Sequence, residues 1–183
     1  MKIEIVLFKV SFILIGAMNP CPCGYAGSNT LYCTCSPKQI VAYQNKLSGP
    51  LRDRFDINLS LSPVNLRSVH TSKEESSSAI RKRVEAARKR QYKRYGREIV
   101  NGRVSYDTLL TSPLNAEQQR TLQQFSYKKN CSNRTQIKIM GLARTISDLQ
   151  GSVGITDQSI WEAVKLNSLA ERKDVTGIKM KGI

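Results

Sequence analysis

Acidic residues and long apolar runs are both scarce in this sequence of 183 residues. There are 14 Asp and Glu against 29 Lys and Arg, which gives a formal net charge of +15. Such an excess favours polyanionic partners such as DNA, RNA, nucleotides or acidic membranes; a surface of solvated Lys and Arg is the alternative. No segment approaches the roughly 20 apolar residues that span a bilayer. Because Glu4 and Lys9 interrupt the apolar N-terminus, we expect a buried strand there rather than a signal peptide, and a cytoplasmic protein.

The two motifs that hold nucleotide phosphates and magnesium in many ATPases, Walker A and Walker B, are absent. No Gly-x4-Gly-Lys-Ser/Thr occurs in the sequence, and no apolar run ends in Asp-Glu. Nucleotide hydrolysis needs the phosphate cradle and the magnesium-holding acid that these motifs supply. We therefore expect no hydrolysis by the chain alone. Histidine is nearly absent as well, and His70, the only one, lies in a polar segment and receives no role.

Four of the five cysteines are concentrated in one short segment, as two Cys-x-Cys pairs formed by Cys21, Cys23, Cys33 and Cys35. In a reducing cytoplasm, paired thiols more often bind metal than form disulfides. Two such pairs can close a tetrahedral site of four sulfurs, although Cys-x2-Cys is the commoner zinc spacing. We predict a structural zinc, with unmetallated thiols and disulfides as the alternatives. Cys131 stands apart and is predicted to be an ordinary residue at a helix start.

The first half of the chain carries two strand patterns. Residues 10–17 form a continuous apolar run, which is typical of a central parallel strand buried on both faces. The run ends at Pro20, so Asn19 would lie at the strand's C-terminal edge, where ligands gather in open α/β sheets. A second strand is predicted from the alternation of four apolar residues, Phe55, Ile57, Leu59 and Leu61.

Helical patterns dominate the rest. Ser36 and Pro37 form a helix start, and a polar, Ser-rich segment follows the second strand. A basic helix over residues 78–95 should stop at Gly96, and two later helices should begin at caps Ser132 and Thr156. We predict an α/β part over residues 1–64, a linker over 65–77, an all-helical domain over 78–170 and a tail over 171–183.

The basic helix is the candidate nucleic-acid interface. Between residues 81 and 97 it carries nine Lys and Arg against one acid, Glu85. Such a face would contact phosphates without reading sequence, and Tyr92 and Tyr95 could stack on bases. The alternatives are a solvated face and a contact with a neighbouring subunit. The predicted DNA-binding residues are Arg81, Lys82, Arg88, Lys89, Arg90, Lys93 and Arg94.

Three stretches together resemble one protein family: "FILIGAMNPCPCGYAG", "KLSGPLRDRFDI" and "SNRTQIKIMGLARTISDL". They are similar to the C-terminal half of the magnesium-chelatase-like AAA+ ATPases of the ComM/YifB family, and the resemblance extends over residues 11–166. It implies the C-terminal part of an AAA+ α/β core, with an incomplete parallel sheet, followed by a helical lid. In that family the Walker motifs lie upstream of "AMNP". The resemblance therefore implies a fragment, from a truncated or frameshifted gene.

The resemblance also implies roles for particular side chains. Asn19 would be sensor 1, which orients the water that attacks the γ-phosphate. Arg54 matches the arginine finger that one subunit offers to its neighbour's nucleotide, although Arg52, where the family usually has an apolar residue, is a rival. Arg134 would be sensor 2, contacting the nucleotide of its own subunit. Arg144 is the rival for that role, but its spacing from an acid four residues later suits a helix-surface ion pair.

The implied function is that of a hexameric, Mg-ATP-dependent machine. The expected parent protein is a ComM-type DNA branch-migration helicase linked to natural transformation and recombination, and the fragment alone would be inactive. Its cofactors would be ATP and Mg in the upstream half, with a structural Zn at the cysteines. Two alternatives remain: a non-catalytic, zinc-bearing, nucleic-acid-binding module, and a chelatase-type motor subunit for inserting metal into a porphyrin.

Overall fold

A computed structural model describes residues 12–28, 30–61, 75–111, 113–129 and 131–168. The chain divides into two compact units, Met1–Gly49 and Pro50–Ile183. Most of the predicted linker over residues 65–77, and the tail over 171–183, lie outside the described residues.

The first unit contains one helix, α1 (Pro37–Gln44), among its described residues. It begins as predicted: the Ser36 hydroxyl accepts from the Gln39 N–H at 3.3 Å, and the Gln39 side chain accepts from the Ser36 N–H at 2.8 Å. This reciprocal capping satisfies two backbone donors that the first helical turn would leave unpaired. Ile40 is buried, and Gln44 donates to the Pro20 carbonyl at 3.0 Å, so the helix is joined to the start of the cysteine segment.

Neither predicted strand forms in the part of the chain that the structure describes. Residues 12–17 have no regular secondary structure, and Ile13 and Ile15 are 82% and 91% exposed. Residues 55–61 are also irregular, with Leu61 89% exposed. A strand is held by hydrogen bonds to neighbouring strands and by burial of its faces, and none of the described segments runs beside either stretch as a partner strand. The α/β part of the predicted fold is therefore not observed, whereas the helical part is.

The second unit is built from helices. The described elements are α2 (Gly49–Arg52), α3 (Ser77–Tyr95), a 3-10 turn (Asn101–Arg103), α4 (Tyr106–Leu109), α5 (Ala116–Lys129), α6 (Asn133–Gln150) and α7 (Asp157–Ser168). The predicted caps are confirmed. The Ser132 hydroxyl accepts from the Thr135 N–H at 3.2 Å at the start of α6, and Gly151, with a φ of 84°, ends that helix. Gly96 ends α3 in the same left-handed conformation.

An apolar core joins α5, α6 and α7. Its buried side chains are Leu114, Leu122, Ile139, Met140, Ala143, Ile146, Ile160, Ala163 and Val164. An apolar stripe on α6 supplies Met140, Ala143 and Ile146, because residues three and four apart lie on the same face of a helix. Burial of these faces stabilises the bundle and fixes the orientation of α6.

A second buried cluster is polar and joins α3 to α6. Asp148 is fully buried and accepts hydrogen bonds from Arg94, including one of 3.0 Å to Oδ2, and from the Asn101 amide at 2.9 Å. The Arg90 guanidinium donates to the Asp148 backbone carbonyl at 3.0 Å. Asn101 also accepts from the Tyr95 hydroxyl at 2.7 Å. This network anchors the basic helix on α6.

Arg144 and Asp148 lie close together as expected, but the prediction that they form a pair on the surface is wrong, because both side chains are buried. Arg144 is 2% exposed, and its Nη2 lies 3.6 Å from Asp148 Oδ1 while donating to the Val153 carbonyl at 2.6 Å. Burial lowers the pKa of Arg144, and repulsion by Arg94 lowers it further. The i,i+4 spacing was read correctly, but the α6 face that carries both residues points into the protein.

Among the described residues, no helix combines the length and the apolar character required to cross a membrane.

Candidate functional site

The two Cys-x-Cys pairs meet in space. The Sγ atoms of Cys21 and Cys23 are 3.3 Å apart, those of Cys23 and Cys33 are 3.5 Å apart, and those of Cys21 and Cys33 are 3.8 Å apart. Cys35 completes the group, with all four sulfurs within 4.8 Å of one another. The segment between the pairs turns back at Gly24, whose φ of 86° is readily available only to glycine.

The environments of the thiols differ in ways that separate their pKa values. A backbone hydrogen bond at Tyr25 is the main reason that the pKa of Cys23 is lowered to about 6, with smaller contributions from the neighbouring thiols. A backbone hydrogen bond at Cys35 lowers the pKa of Cys33, but desolvation and the hydrogen bonds to Cys23 and Cys21 outweigh it and raise the pKa to about 12. The cluster thus favours some thiolate character but opposes the ionisation of every sulfur at once.

The donor set fits a tetrahedral metal ion with sulfur ligands. With Zn–S bonds of about 2.3 Å, tetrahedral ligands lie about 3.8 Å from one another, close to the separations observed here. Four thiolates leave no coordination position for a substrate, so such an ion would be structural. Cys131 lies in the second unit, where its N–H donates to the Ser126 carbonyl at 2.9 Å.

Asn19 is exposed and lies beside the cysteine cluster. A Cβ built on Gly24 would be 3.9 Å from the Asn19 amide nitrogen, so the amide lies over the turn of the cysteine segment. Its predicted place at a strand edge is not observed, because residues 12–19 are irregular.

Arg54 is exposed in the second unit, two residues after the end of α2. Its Nη1 donates to the Pro50 carbonyl at 2.8 Å, and its N–H donates to the Leu51 carbonyl at 3.0 Å. The side chain is therefore oriented by its own turn while remaining open to solvent. Arg52, its rival, is half-buried at the end of α2.

The residues on both sides of Arg54 form hydrogen bonds with α6 and α7. We call residues 53–58 the Arg54 segment. The Lys138 ammonium donates to the carbonyls of Asp53 and Phe55, the latter at 2.9 Å. Thr135 donates to the Asp53 carboxylate at 3.2 Å. The Asn58 N–H donates to the Leu166 carbonyl at 2.9 Å, and Asn167 donates to the Asp56 carbonyl at 3.2 Å. Lys138 was not predicted from the sequence.

The two sensor 2 candidates differ in accessibility. Arg134 is exposed in the first turn of α6, one turn before Lys138. Arg144 is 2% exposed and belongs to the buried polar network. Of the two, only Arg134 can reach a ligand without rearrangement of the helical unit.

The basic helix α3 has two chemically different faces. Arg90 and Arg94, which are among the predicted DNA-binding residues, both donate to Asp148 in the polar network, and Arg94 is only partly exposed. Arg83 pairs with Glu75 at 3.0 Å. The predicted DNA-binding residues that are exposed and are not part of the polar network are Arg81, Lys82, Arg88, Lys89 and Lys93.

Comparison with protein families matches both parts of the chain. The family model described as magnesium chelatase, subunit ChlI, matches residues 2–69, and the one described as magnesium chelatase, subunit ChlI C-terminal, matches residues 74–167. The chain therefore belongs to the magnesium-chelatase-like family, as its motifs predicted.

Within this family, the chain is similar to proteins called YifB and ComM. Proteins called YifB are 36% identical over 167 residues in Salmonella typhimurium and 34% identical over 173 residues in Escherichia coli; each alignment covers 90% of this chain and 32% of the relative. The competence protein ComM of Haemophilus influenzae is 33% identical over 161 residues, covering 86% of this chain and 31% of the relative. The chain thus spans about a third of the length of these relatives.

Proposed function

We propose that this chain is the finger-bearing and lid-bearing part of an AAA+ ATPase subunit, in a hexamer of the ComM type that drives DNA branch migration. The observation that carries the proposal is that Arg54 and Arg134, at the positions implied by the family motifs, are both exposed in one compact helical unit. Family membership and the likeness to YifB and ComM support the same reading.

The two arginines would act on different nucleotides. A guanidinium placed against a transferring phosphoryl group stabilises the negative charge that develops there. Arg54, offered across a subunit boundary, would supply this charge to the neighbour's site, while Arg134 would contact the phosphates in its own subunit. Asn19, with a donor and an acceptor on one amide, would orient the attacking water. ATP and Mg²⁺ would be held by the Walker motifs, which this sequence does not contain.

Reconstitution tests this function. The chain alone should hydrolyse no ATP above background, with or without DNA, whereas fusion to the Walker-containing part of a relative should restore turnover. A fused subunit that assembles and binds ATP but does not turn it over would contradict the proposal, as would turnover by the chain alone that disappears on Arg54→Ala.

The cysteine cluster is proposed to hold one structural zinc ion. The four Sγ atoms lie within 4.8 Å of one another, and Cys21 and Cys33, the first residues of the two pairs, are 12 residues apart in the sequence. An ion bound to all four sulfurs would cross-link this segment, which has no regular secondary structure of its own. Zinc would supply no reaction chemistry here, and its role would be to hold the segment after Asn19 in one conformation.

We expect metal analysis of the purified chain to find about one zinc per molecule. Cys33→Ser removes one of the four sulfur ligands and should abolish that zinc, whereas Cys131→Ser, the matched control in the second unit, should retain it. Chelation should also increase proteolysis within residues 21–35 of the unsubstituted chain. Full zinc occupancy in the Cys33→Ser variant, or disulfides in protein prepared without an oxidant, would contradict the proposal.

A second candidate function, binding to nucleic acid without catalysis, is favoured by the outer face of α3. Five of its exposed cations, Arg81, Lys82, Arg88, Lys89 and Lys93, are not among the residues of the Asp148 network, and Glu85 is the acid among them in the sequence. Contacts of this kind are made with phosphates and release counterions, so they give affinity without sequence preference.

Charge reversal at Arg88, Lys89 and Lys93 should weaken DNA binding for all sequences alike. Loss of three phosphate contacts should reduce the slope of log K against log salt by about 3, since each contact contributes about 0.9. Reversal of Arg103, Arg120 and Lys128, which are exposed elsewhere, changes the net charge equally and should have a much smaller effect. Fluorescence anisotropy across a salt series measures both. Equal effects of the two triple variants would contradict a role for α3.

A further inference from the structure

The Arg54 segment has no regular secondary structure, yet it is attached to α6 at a defined point. We propose that Lys138 is a positioning residue that fixes the Arg54 segment to the helix carrying Arg134, so that the two arginines move as one body. This inference rests on the proposed function of Arg54 and Arg134. Its consequence is that contact of Arg134 with one nucleotide and presentation of Arg54 to another are mechanically linked.

The attachment is a cation held between two backbone carbonyls. Lys138 donates to the carbonyls of Asp53 and Phe55, which flank Arg54 on either side. The ammonium therefore fixes the backbone immediately before and after the residue that carries the finger. Backbone carbonyls at such a turn would otherwise face solvent or remain unpaired, and a charged donor forms stronger hydrogen bonds than a neutral one.

Neighbouring contacts define the same attachment. Thr135, one turn before Lys138 on α6, donates to the Asp53 carboxylate at 3.2 Å. At the other end of the segment, the Asn58 N–H donates to the Leu166 carbonyl of α7 at 2.9 Å. The segment is thus held by side chains at its start and by backbone pairing at its end, and both contacts are made with helices of the apolar core.

Charge links Lys138 to Arg134 directly. Burial is the main reason that the pKa of Lys138 is lowered, and repulsion by Arg134 lowers it further, whereas Asp56 and Asp53 oppose the shift. A phosphate bound at Arg134 would offset that repulsion.

Hydrogen exchange of the full chain, followed by mass spectrometry, tests the attachment without any nucleotide. In Lys138→Met, the amides of Phe55 and Asn58, which donate to the Arg52 and Leu166 carbonyls, should exchange about tenfold or more faster, while amides of the α6–α7 core should be unchanged. Lys138→Arg keeps a charged donor and should restore most of the protection. Lys128→Met, an exposed lysine of α5, is the matched control and should change nothing in residues 53–58.

Thr135→Val provides a milder variant should Lys138→Met lower the stability of the whole unit; it should accelerate exchange in the same segment by a smaller factor. Unchanged exchange in the segment, or no rescue by Lys138→Arg, would overturn the attachment. Because the measurement contains no nucleotide, it can fail while Arg54 still proves to be a finger. Conversely, protection by Lys138 with no effect of Arg54 on turnover would leave the attachment standing and reject the proposed function.

Discussion

Replacing Asp148 with alanine is expected to lower the free energy of unfolding of the helical unit by about 3–5 kcal/mol, the cost of breaking a buried ion pair from one side. Asp148 is fully buried, and it accepts from Arg94 and from the Asn101 amide. Its removal would leave the guanidinium groups of Arg94 and Arg144 close together without their counter-charge. Urea denaturation followed by circular dichroism measures the change.

Two comparisons make the Asp148 prediction specific. Glu162→Ala removes an exposed acid from α7 and should change stability by no more than about 0.5 kcal/mol. Arg144→Met should cost much less than Asp148→Ala, because it removes a charge that repels Arg94 and two nitrogens, Nε and Nη1, that find no acceptor among the described residues. A loss below about 1 kcal/mol for Asp148→Ala would show that the buried network contributes less to the free energy of unfolding than its burial implies.

In a subunit rebuilt with a relative's Walker-containing part, Arg54→Ala is expected to reduce ATP turnover by about 10³–10⁵, the range for removal of an arginine finger. Arg134→Ala should also reduce turnover, because it removes a phosphate contact within the subunit's own site. Steady-state hydrolysis by each variant measures both effects. Arg144→Ala should affect stability more than turnover, since its side chain lies in the buried network.

Mixed assemblies separate the two roles. Arg54→Ala subunits mixed with Walker-dead subunits should recover activity, because some interfaces pair an intact pocket with an intact finger from the neighbour. Arg134→Ala subunits mixed with Walker-dead subunits should recover none, since each subunit then carries a defective pocket of its own. Recovery in the second mixture would contradict a cis role for Arg134. Loss of turnover on Arg52→Ala but not on Arg54→Ala would place the finger two residues earlier.

Helix starts and stops could be predicted from the sequence because their causes are local. The hydroxyls of Ser36 and Ser132 bond to N–H groups three residues away, and Gly96 and Gly151 supply left-handed residues at helix ends. The meeting of the two Cys-x-Cys pairs could also be predicted from the sequence, since the turn at Gly24 lies between the pairs and brings them together.

Strands and side-chain partners could not be predicted in the same way, because they depend on distant residues. The apolar run at residues 12–17 specifies a strand only where neighbouring strands accept its hydrogen bonds. The positive charge of α3 could be read from the sequence, but the pairing of Arg94 with Asp148, which joins positions 54 residues apart, could not. The role of Lys138 could not be predicted from the sequence, because its acceptors are backbone carbonyls and these do not depend on the type of side chain.

Gly151 limits which sequences this fold can accept over evolutionary time. Its φ of 84° already disfavours any other residue, and a Cβ there would lie 3.3 Å from the Arg90 guanidinium. Because Arg90 donates to the Asp148 carbonyl near the end of α6, a larger residue at 151 would also require the end of the Arg90 side chain to shift by a few tenths of an ångström. Among relatives we therefore expect glycine at 151 whatever residue occupies position 90, because the backbone conformation alone disfavours a side chain there.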